Sequence, residues 1–210
     1  MRLGLVRHGQ TAWNVQQLAQ GHTDTPLDET GLAQAREIAN AVRTAWSDGP
    51  APLFLTSDLQ RAATTAEIMA AAWPEANLHS TPDLRERCFT PYEGRPWREM
   101  RDWIYAESER TGIPLEDVRS EGGESIRDVF HRVSRVADGL TDHSGPVIVV
   151  SHGVALSLFL ARCLRAPVEV HRSFRFGNGT LTELVRETTG LMLMTRWNES
   201  AESVAGRAHA

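Results

Sequence analysis

The run Pro146 to Val150 is apolar at every position, and after Ser151 and His152 the chain enters a second apolar stretch, Gly153 to Leu164, long enough for a helix. A strand without a polar face must be buried on both sides, which happens in sheets covered by helices above and below. The rest of the chain supports that choice. Leu3 to Val6 reads as a buried strand ended by Gly9, and Leu53 to Thr56 as another. Between them Thr30 to Trp46 places Leu32, Ala35, Ile38, Ala39 and Val42 at helical spacing, with Pro50 and Pro52 as the stop. Ser57 and Asp58 are candidate N-caps for an alanine-rich helix from Leu59 to about Ala72.

A weak strand is expected near Leu78, then helices over Arg95 to Arg110 and Glu124 to Leu140, the latter opened by Gly-Gly-Glu-Ser. Thr180 to Arg186 and Leu191 to Trp197 alternate around Thr189-Gly190 and suggest a hairpin. The expected fold is therefore α/β: a three-layer sandwich, a mostly parallel sheet with helices on both faces and a C-terminal β-hairpin. No linker argues for a second domain, so residues 1–198 read as a single domain and 199–210, small and polar, as a loosely held tail.

Composition removes several chemistries. The chain has no lysine, so its 22 positive side chains are all arginine. P-loop phosphate cradles, Schiff-base chemistry, kinase-type transfer and serine-lysine hydrolysis all need an amine and are excluded. The net charge of −5 over 210 residues gives no global attraction for nucleic acid or an anionic membrane, so an anionic ligand must be gripped locally. Cys88 and Cys163 are far apart and form no thiolate cage or disulfide framework. No stretch reads as a signal peptide or membrane span, and a cytoplasmic protein is expected. No metal-ligand spacing is present, and neither metal nor cofactor is expected.

Three expected strand ends carry nitrogen-rich side chains: Arg7-His8-Gly9, Ser57 leading to Arg61, and Ser151-His152-Gly153. Open α/β sheets bind ligands at such ends, helix N-termini there favour anions, and glycines beside the histidines would let backbone approach a ligand. The guest such a set fits is a phosphate or another compact dianion.

These residues resemble the histidine phosphatase superfamily, the phosphoglycerate-mutase-like group, in its phosphatase branch. The resemblance runs in order through Val6 to Thr11, Trp13-Asn14, Gln20 to Leu27, Gly31 to Ala35, Ser57 to Ala62, Leu84-Arg85-Glu86, Tyr92-Glu93-Gly94, Gly123-Glu124-Ser125 and Val150 to Gly153. It implies a metal-independent phosphomonoester hydrolase, a histidine acid-type phosphatase, acting on a small phosphorylated metabolite through a phosphohistidine. In that reading His8 is the nucleophile, Arg7, Arg61 and His152 clamp the phosphoryl group, with His152 best as imidazolium, and Glu86 is the general acid, with Glu93 as fallback. Asn14, Gln20, Thr23 and Gly153 are expected to contact substrate. Two departures touch the acid loop: Thr90 replaces a common glycine, followed by Pro91, and Tyr92 replaces tryptophan.

His22 lies in a loop expected to flank the pocket, whereas His79, His131, His143, His171 and His209 read as packed or surface residues. Trp13 and Trp97 are open to either a packing or a substrate-facing role, Trp103 reads as packing, and the charges of 95–110 read as a solvated, internally paired face. Cys163 reads as a small core residue. Alternative functions are a cofactor-dependent phosphoglycerate mutase, though the basic insertion typical of mutases is missing, and a catalytically silent binding protein on the same fold. Apolar residues of the hairpin allow a homodimer.

Overall fold

The structure, a computed structural model, describes residues 1–206. A six-stranded sheet is built from β1 (Arg2–Arg7), β2 (Leu53–Ser57), β3 (Asn77–Thr81), β4 (Val147–Ser151), β5 (Leu181–Arg186) and β6 (Met192–Glu199) in the order β3-β2-β4-β1-β5-β6. The first four strands in that order are parallel, while β5 runs antiparallel to β1, and β6 to β5. The helices are α1 (Ala12–Val15), α2 (Glu29–Ala45), α3 (Gln60–Ala70), α4 (Trp97–Thr111), α5 (Ile126–Gly139), α6 (Gly153–Cys163) and α7 (Ala201–Gly206), with short 3-10 turns at Pro82–Leu84 and Val168–Ser173. Every element expected from the sequence is present with its ends displaced by no more than two residues.

Alternation along the central strands divides the core. Leu3 and Leu5 of β1, with Val147 and Val149 of β4, pack on α5 and α6. Val6, Ile148 and Val150 face the other way, onto α2, α3 and α7. All five residues of β4 are buried, as expected for a strand inside a sheet covered on both faces. The helix that follows β1 therefore lies on one face, and the helix that follows the adjacent β4 on the other. Such a switch point opens a crevice between the carboxyl ends of two neighbouring strands.

Three local expectations are corrected. Ser57 and Asp58 do not cap α3, whose N-cap is Leu59. Asp58 is drawn away by a two-point ion pair with Arg85, and the Gln60 N–H is instead met by the Asp24 carboxylate at 2.7 Å. Residues 199–206 of the expected tail are part of the fold: Glu199 closes β6, and α7 buries Val204 against the α2 side of the core. Ala201, Val204 and Ala205 have helical spacing, but six residues are too short for that signal to stand out. The expectation for His209 lies outside the described residues. The loop after Gly9 holds a missed turn, α1, closed by a capping box between Thr11 and Asn14. Among the described residues no helix is long and apolar enough to cross a membrane.

Candidate active site

Parallel pairing of β1 with β4 sets Arg7 opposite Ser151, and the next residues, His8 and His152, leave the sheet side by side. The His8 N–H donates to the Ser151 carbonyl at 3.0 Å, and the two imidazoles stand 5.1 Å apart, tilted by 58°. Arg61, on the first turn of α3, enters from the neighbouring strand end and is completely buried. Three strand ends thus meet at one place, and His8, Arg7 and Arg61 line one cavity of about 830 Å³ together with Glu86 and Gly153.

Hydrogen bonding fixes the state of each imidazole. His8 Nδ1 lies 2.7 Å from the Gly9 carbonyl oxygen, which can only accept. The proton is therefore on Nδ1, and Nε2 keeps its lone pair. His152 has the opposite tautomer: its Nδ1 accepts from Arg61 Nε at 3.2 Å, which places the remaining proton on Nε2. Burial, followed by the charges of Arg61 and Arg7, pushes the His8 pKa well below 6.5. Burial and the charge of Arg61 do the same to His152. In this structure residue 152 is therefore neutral, because a guanidinium that donates to Nδ1 leaves no place there for a second proton; the imidazolium was expected beside a bound dianion.

Arg61 also donates to the carbonyls of Thr23 and Gly21, at 2.9 and 2.8 Å. Burial lowers its pKa to about 10, which still leaves it charged at neutral pH. Arg7 Nη1 is held by the Phe176 carbonyl at 2.7 Å. Among the described residues Arg7 Nε and His152 Nε2 are buried donors with no hydrogen-bond partner. Buried donors are almost always paired, so the two orphans, Arg7 in the cavity wall and the fully buried His152 beside His8 but not part of that wall, mark a place suited to an acceptor-rich ligand.

Glu86 reaches the N-terminus of α6. Its carboxylate accepts from the Arg87 N–H at 2.9 Å, Val154 N–H at 3.2 Å and Ala155 N–H at 3.3 Å, supplying the cap that His152 does not. Its backbone is gripped separately: the Glu86 carbonyl accepts from Arg132 Nη2 at 2.8 Å and from His22 Nε2 at 2.9 Å. Arg132 also donates to the carbonyls of Asp83 and Arg85 and pairs with Glu124. Thr90 and Pro91, joined by a cis peptide bond, lie farther along the loop, where Ser120 Oγ donates to the Thr90 carbonyl. The position of Glu86 is thus set by α5 and α6 rather than by that departure.

Not every expected site residue lines the cavity. Asn14 and Gln20 do, although Asn14 Oδ1 also caps α1 and Gln20 Oε1 accepts from Thr25. Thr23 does not; its hydroxyl and N–H both donate to Glu93, and its carbonyl holds Arg61. Glu93 likewise is no spare acid. Burial opposes its ionisation, but the Thr23 hydroxyl and the N–H groups of His22, Phe89 and Thr23 outweigh this and hold its pKa below the ordinary value. Gly21, at φ +54°, is needed beside it, since a Cβ there would come within 1.9 Å of Glu93 Oε1. His22 braces the Glu86 backbone rather than lining the cavity.

The two glycines that follow histidines differ. A Cβ on Gly9 would lie 2.3 Å from the Gly31 carbonyl oxygen, so Gly9 serves packing of the loop on α2, not approach to a ligand. A Cβ on Gly153 would have Arg7 and Glu86, both in the cavity wall, as its nearest neighbours at 3.7 and 3.8 Å, which is ordinary contact. The sequence reading also missed His171, which forms part of the wall, and the segment Arg172 to Phe176 that brings Arg172, Phe174, Arg175 and Phe176 there. Trp13 and Trp97 face the cavity, while Trp103 packs on Tyr92.

A family model described as the histidine phosphatase superfamily (branch 1) matches residues 3–200. The adenosylcobalamin/alpha-ribazole phosphatase of Salmonella typhi is 34% identical over 184 residues, covering 85% of this chain and 87% of its own. A Proteus mirabilis protein named "Probable phosphoglycerate mutase GpmB" is 32% identical over 189 residues, 88% of this chain and 84% of its own. Among solved structures, the alpha-ribazole phosphatase of Shigella flexneri superposes with a TM-score of 0.77 at 30% identity, covering 95% of this chain and 96% of its own.

Proposed function

The chain belongs to the histidine phosphatase superfamily, and on that premise we propose that it is a phosphomonoester hydrolase working through a phosphohistidine on His8. The observation that carries this reading is the His8 tautomer: an imidazole held neutral by burial, with its proton tied to the Gly9 carbonyl, presents the Nε2 lone pair beside two guanidinium groups. A neutral imidazole is a competent nucleophile, and phosphoryl transfer needs placed positive charge more than covalent help.

In the first step Nε2 of His8 bonds to phosphorus while the bond to the leaving oxygen breaks. Arg7, Arg61 and the Nε2–H of His152 donate to the equatorial oxygens. Glu86 gives its proton to the departing alkoxide. In the second step the Glu86 carboxylate takes a proton from water, whose oxygen displaces His8 from phosphorus to release inorganic phosphate and restore both groups. Asn14, Gln20 and Gly153 act as contacts to the bound ester.

The test is to mix the enzyme with a radiolabelled phosphomonoester, quench in alkali and map the label. Label on His8 is expected, and His8→Ala should lower kcat by at least about a thousandfold with the fold intact. A variant that keeps turnover within a few fold of the parent would overturn the assignment. The mutase reading, suggested by the relatives from Proteus mirabilis and Yersinia that are named probable phosphoglycerate mutases, requires isomerised phosphoglycerate and dependence on a bisphosphate primer. Release of phosphate without primer speaks for hydrolysis, and absence of turnover on every ester for the silent binding protein.

A further inference from the structure

The cavity holds more positive charge than one phosphoryl group can use. Seven of its lining residues are arginines and only one, Glu86, is a carboxylate, although the chain as a whole carries a net charge of −5. Arg7 and Arg61 belong to the reacting centre. Arg87 is spent on the carbonyls of Glu124 and Val118, Arg101 is paired with Asp102, and Arg172 with Glu116. Arg98 and Arg175 have no hydrogen-bond or ion-pair partner among the described residues. They come from separate segments: Arg98 from the first turn of α4, Arg175 from the stretch just before Phe176, whose carbonyl holds Arg7.

The size of the cavity points the same way. About 830 Å³ is near the upper end of the range for sites that enclose a drug-sized ligand, and a phosphoryl group fills a small part of it. The remaining wall carries Trp13, Trp97, Tyr105 and Phe174, apolar faces suited to the body of a ligand. Guanidinium groups over a low-dielectric wall focus potential onto a second negative group and grip oxyanions through paired N–H donors.

We propose that Arg98 and Arg175 form a second oxyanion subsite, so that the preferred substrate is a phosphomonoester whose leaving group carries a further carboxylate or phosphate on an apolar body. The proposal rests on the reading of the reacting centre as a phosphatase. It makes the outer half of the cavity, not the phosphoryl clamp, the part that selects the substrate, because selectivity follows from contacts to the leaving group.

Matched aryl esters test it. The para-carboxyphenyl and para-carbamoylphenyl phosphates differ by one charge at nearly equal size, and para-phosphonophenyl phosphate supplies the phosphate-like arm. The parent enzyme should favour at least one anionic ester over the carbamoyl ester by about tenfold or more in kcat/KM at low salt, and the better anion identifies the group recognised. In the double variant Arg98→Gln/Arg175→Gln that ratio should fall to about one. A ratio near one in the parent, or a ratio that survives in the variant, overturns the subsite even if all three esters are hydrolysed. If none is hydrolysed the phosphatase reading falls instead. The corresponding benzylphosphonates, which cannot be hydrolysed, then decide the subsite by calorimetry, with a tenfold preference for the carboxylate supporting it and equal affinities refuting it.

Discussion

At the scale of single residues, reactivity is set by what each imidazole nitrogen touches. Three coincident facts suit His8 to the proposed role of nucleophile: it is buried, it lies near Arg61 and Arg7, and its Nδ1–H is committed to the Gly9 carbonyl. The first two favour the neutral form and the third fixes which nitrogen is free. Because the deprotonated ring is the reactive one, the enzyme's own acid limb in kcat/KM should lie well below pH 6.5, so that activity persists in mildly acid solution. Phosphomonoesters take up a proton near pH 6 themselves, so the profile is to be measured with an ester of known second ionisation and that ionisation divided out. A remaining limb centred at or above 6.5 would contradict the burial argument. That His8, Arg7, Arg61 and His152 come together was legible because each sits where an apolar run gives way to a polar residue and glycine or a helix. The protonation of His152 was not, since it depends on an Arg61 donor 91 positions away in sequence. Glu93 and Thr23 were misread for a similar reason. A carboxylate and a hydroxyl beside a site look like an acid and a ligand until their mutual hydrogen bond is seen.

At the scale of elements, Glu86, the proposed acid, is positioned by helices to which it does not belong. The start of α6 receives the Glu86 carboxylate, and Arg132 of α5 binds the carbonyls of Asp83, Arg85 and Glu86 while anchored to Glu124. Arg132→Gln should therefore harm proton donation more than phosphorus attack. For alkyl phosphates, whose leaving group needs a proton, kcat/KM should drop about a hundredfold. For a nitrophenyl ester, which leaves readily as an anion, the loss should be no more than a few fold. Equal losses on both would mean that Arg132 supports the fold alone. Glycine substitutions separate two superficially similar motifs. Gly9→Ala drives a Cβ into the Gly31 backbone and should cost about 1–3 kcal/mol in chemical denaturation. Gly153→Ala should leave stability nearly unchanged and raise KM, because its Cβ would lie beside Arg7 and Glu86 of the cavity wall. Equal destabilisation by the two would remove this distinction. Helices and strands were readable from apolar periodicity, which reports burial directly. Caps were read less well: Ser125 caps α5 as expected, but Asp58 is diverted by Arg85, a partner no local pattern reveals. The wall segment around Arg175 carries neither periodicity nor motif, and it joins the site only because the turn through Gly179 returns to the Arg7 carbonyl before β5 pairs with β1.

At the scale of the whole molecule, the switch point between β1 and β4 concentrates unfavourable groups in one crevice. Two imidazoles and the Arg61 guanidinium are almost entirely removed from water, and the helix-covered sheet holds them there. The consequence for stability follows from proton counting. In the unfolded chain His8 and His152 take up protons as the pH falls through their ordinary value of 6.5. In the folded chain they stay neutral until well below it, because burial comes first among the causes that depress both. Between those limits the unfolded state binds more protons, so folding stability rises with pH and is lost as the pH falls below 6.5. Each histidine can contribute a slope of up to about 1.4 kcal/mol per pH unit, and carboxylates add little until nearer pH 5. Between pH 6.5 and 5 the parent should therefore lose Tm steadily, and His8→Asn/His152→Asn should flatten that slope whatever its absolute Tm. His171, also depressed chiefly by burial, leaves a smaller residual slope in the double variant. A variant as pH-sensitive as the parent would place the titrating groups elsewhere in the molecule. Saturating inorganic phosphate should raise the Tm of the parent by mass action.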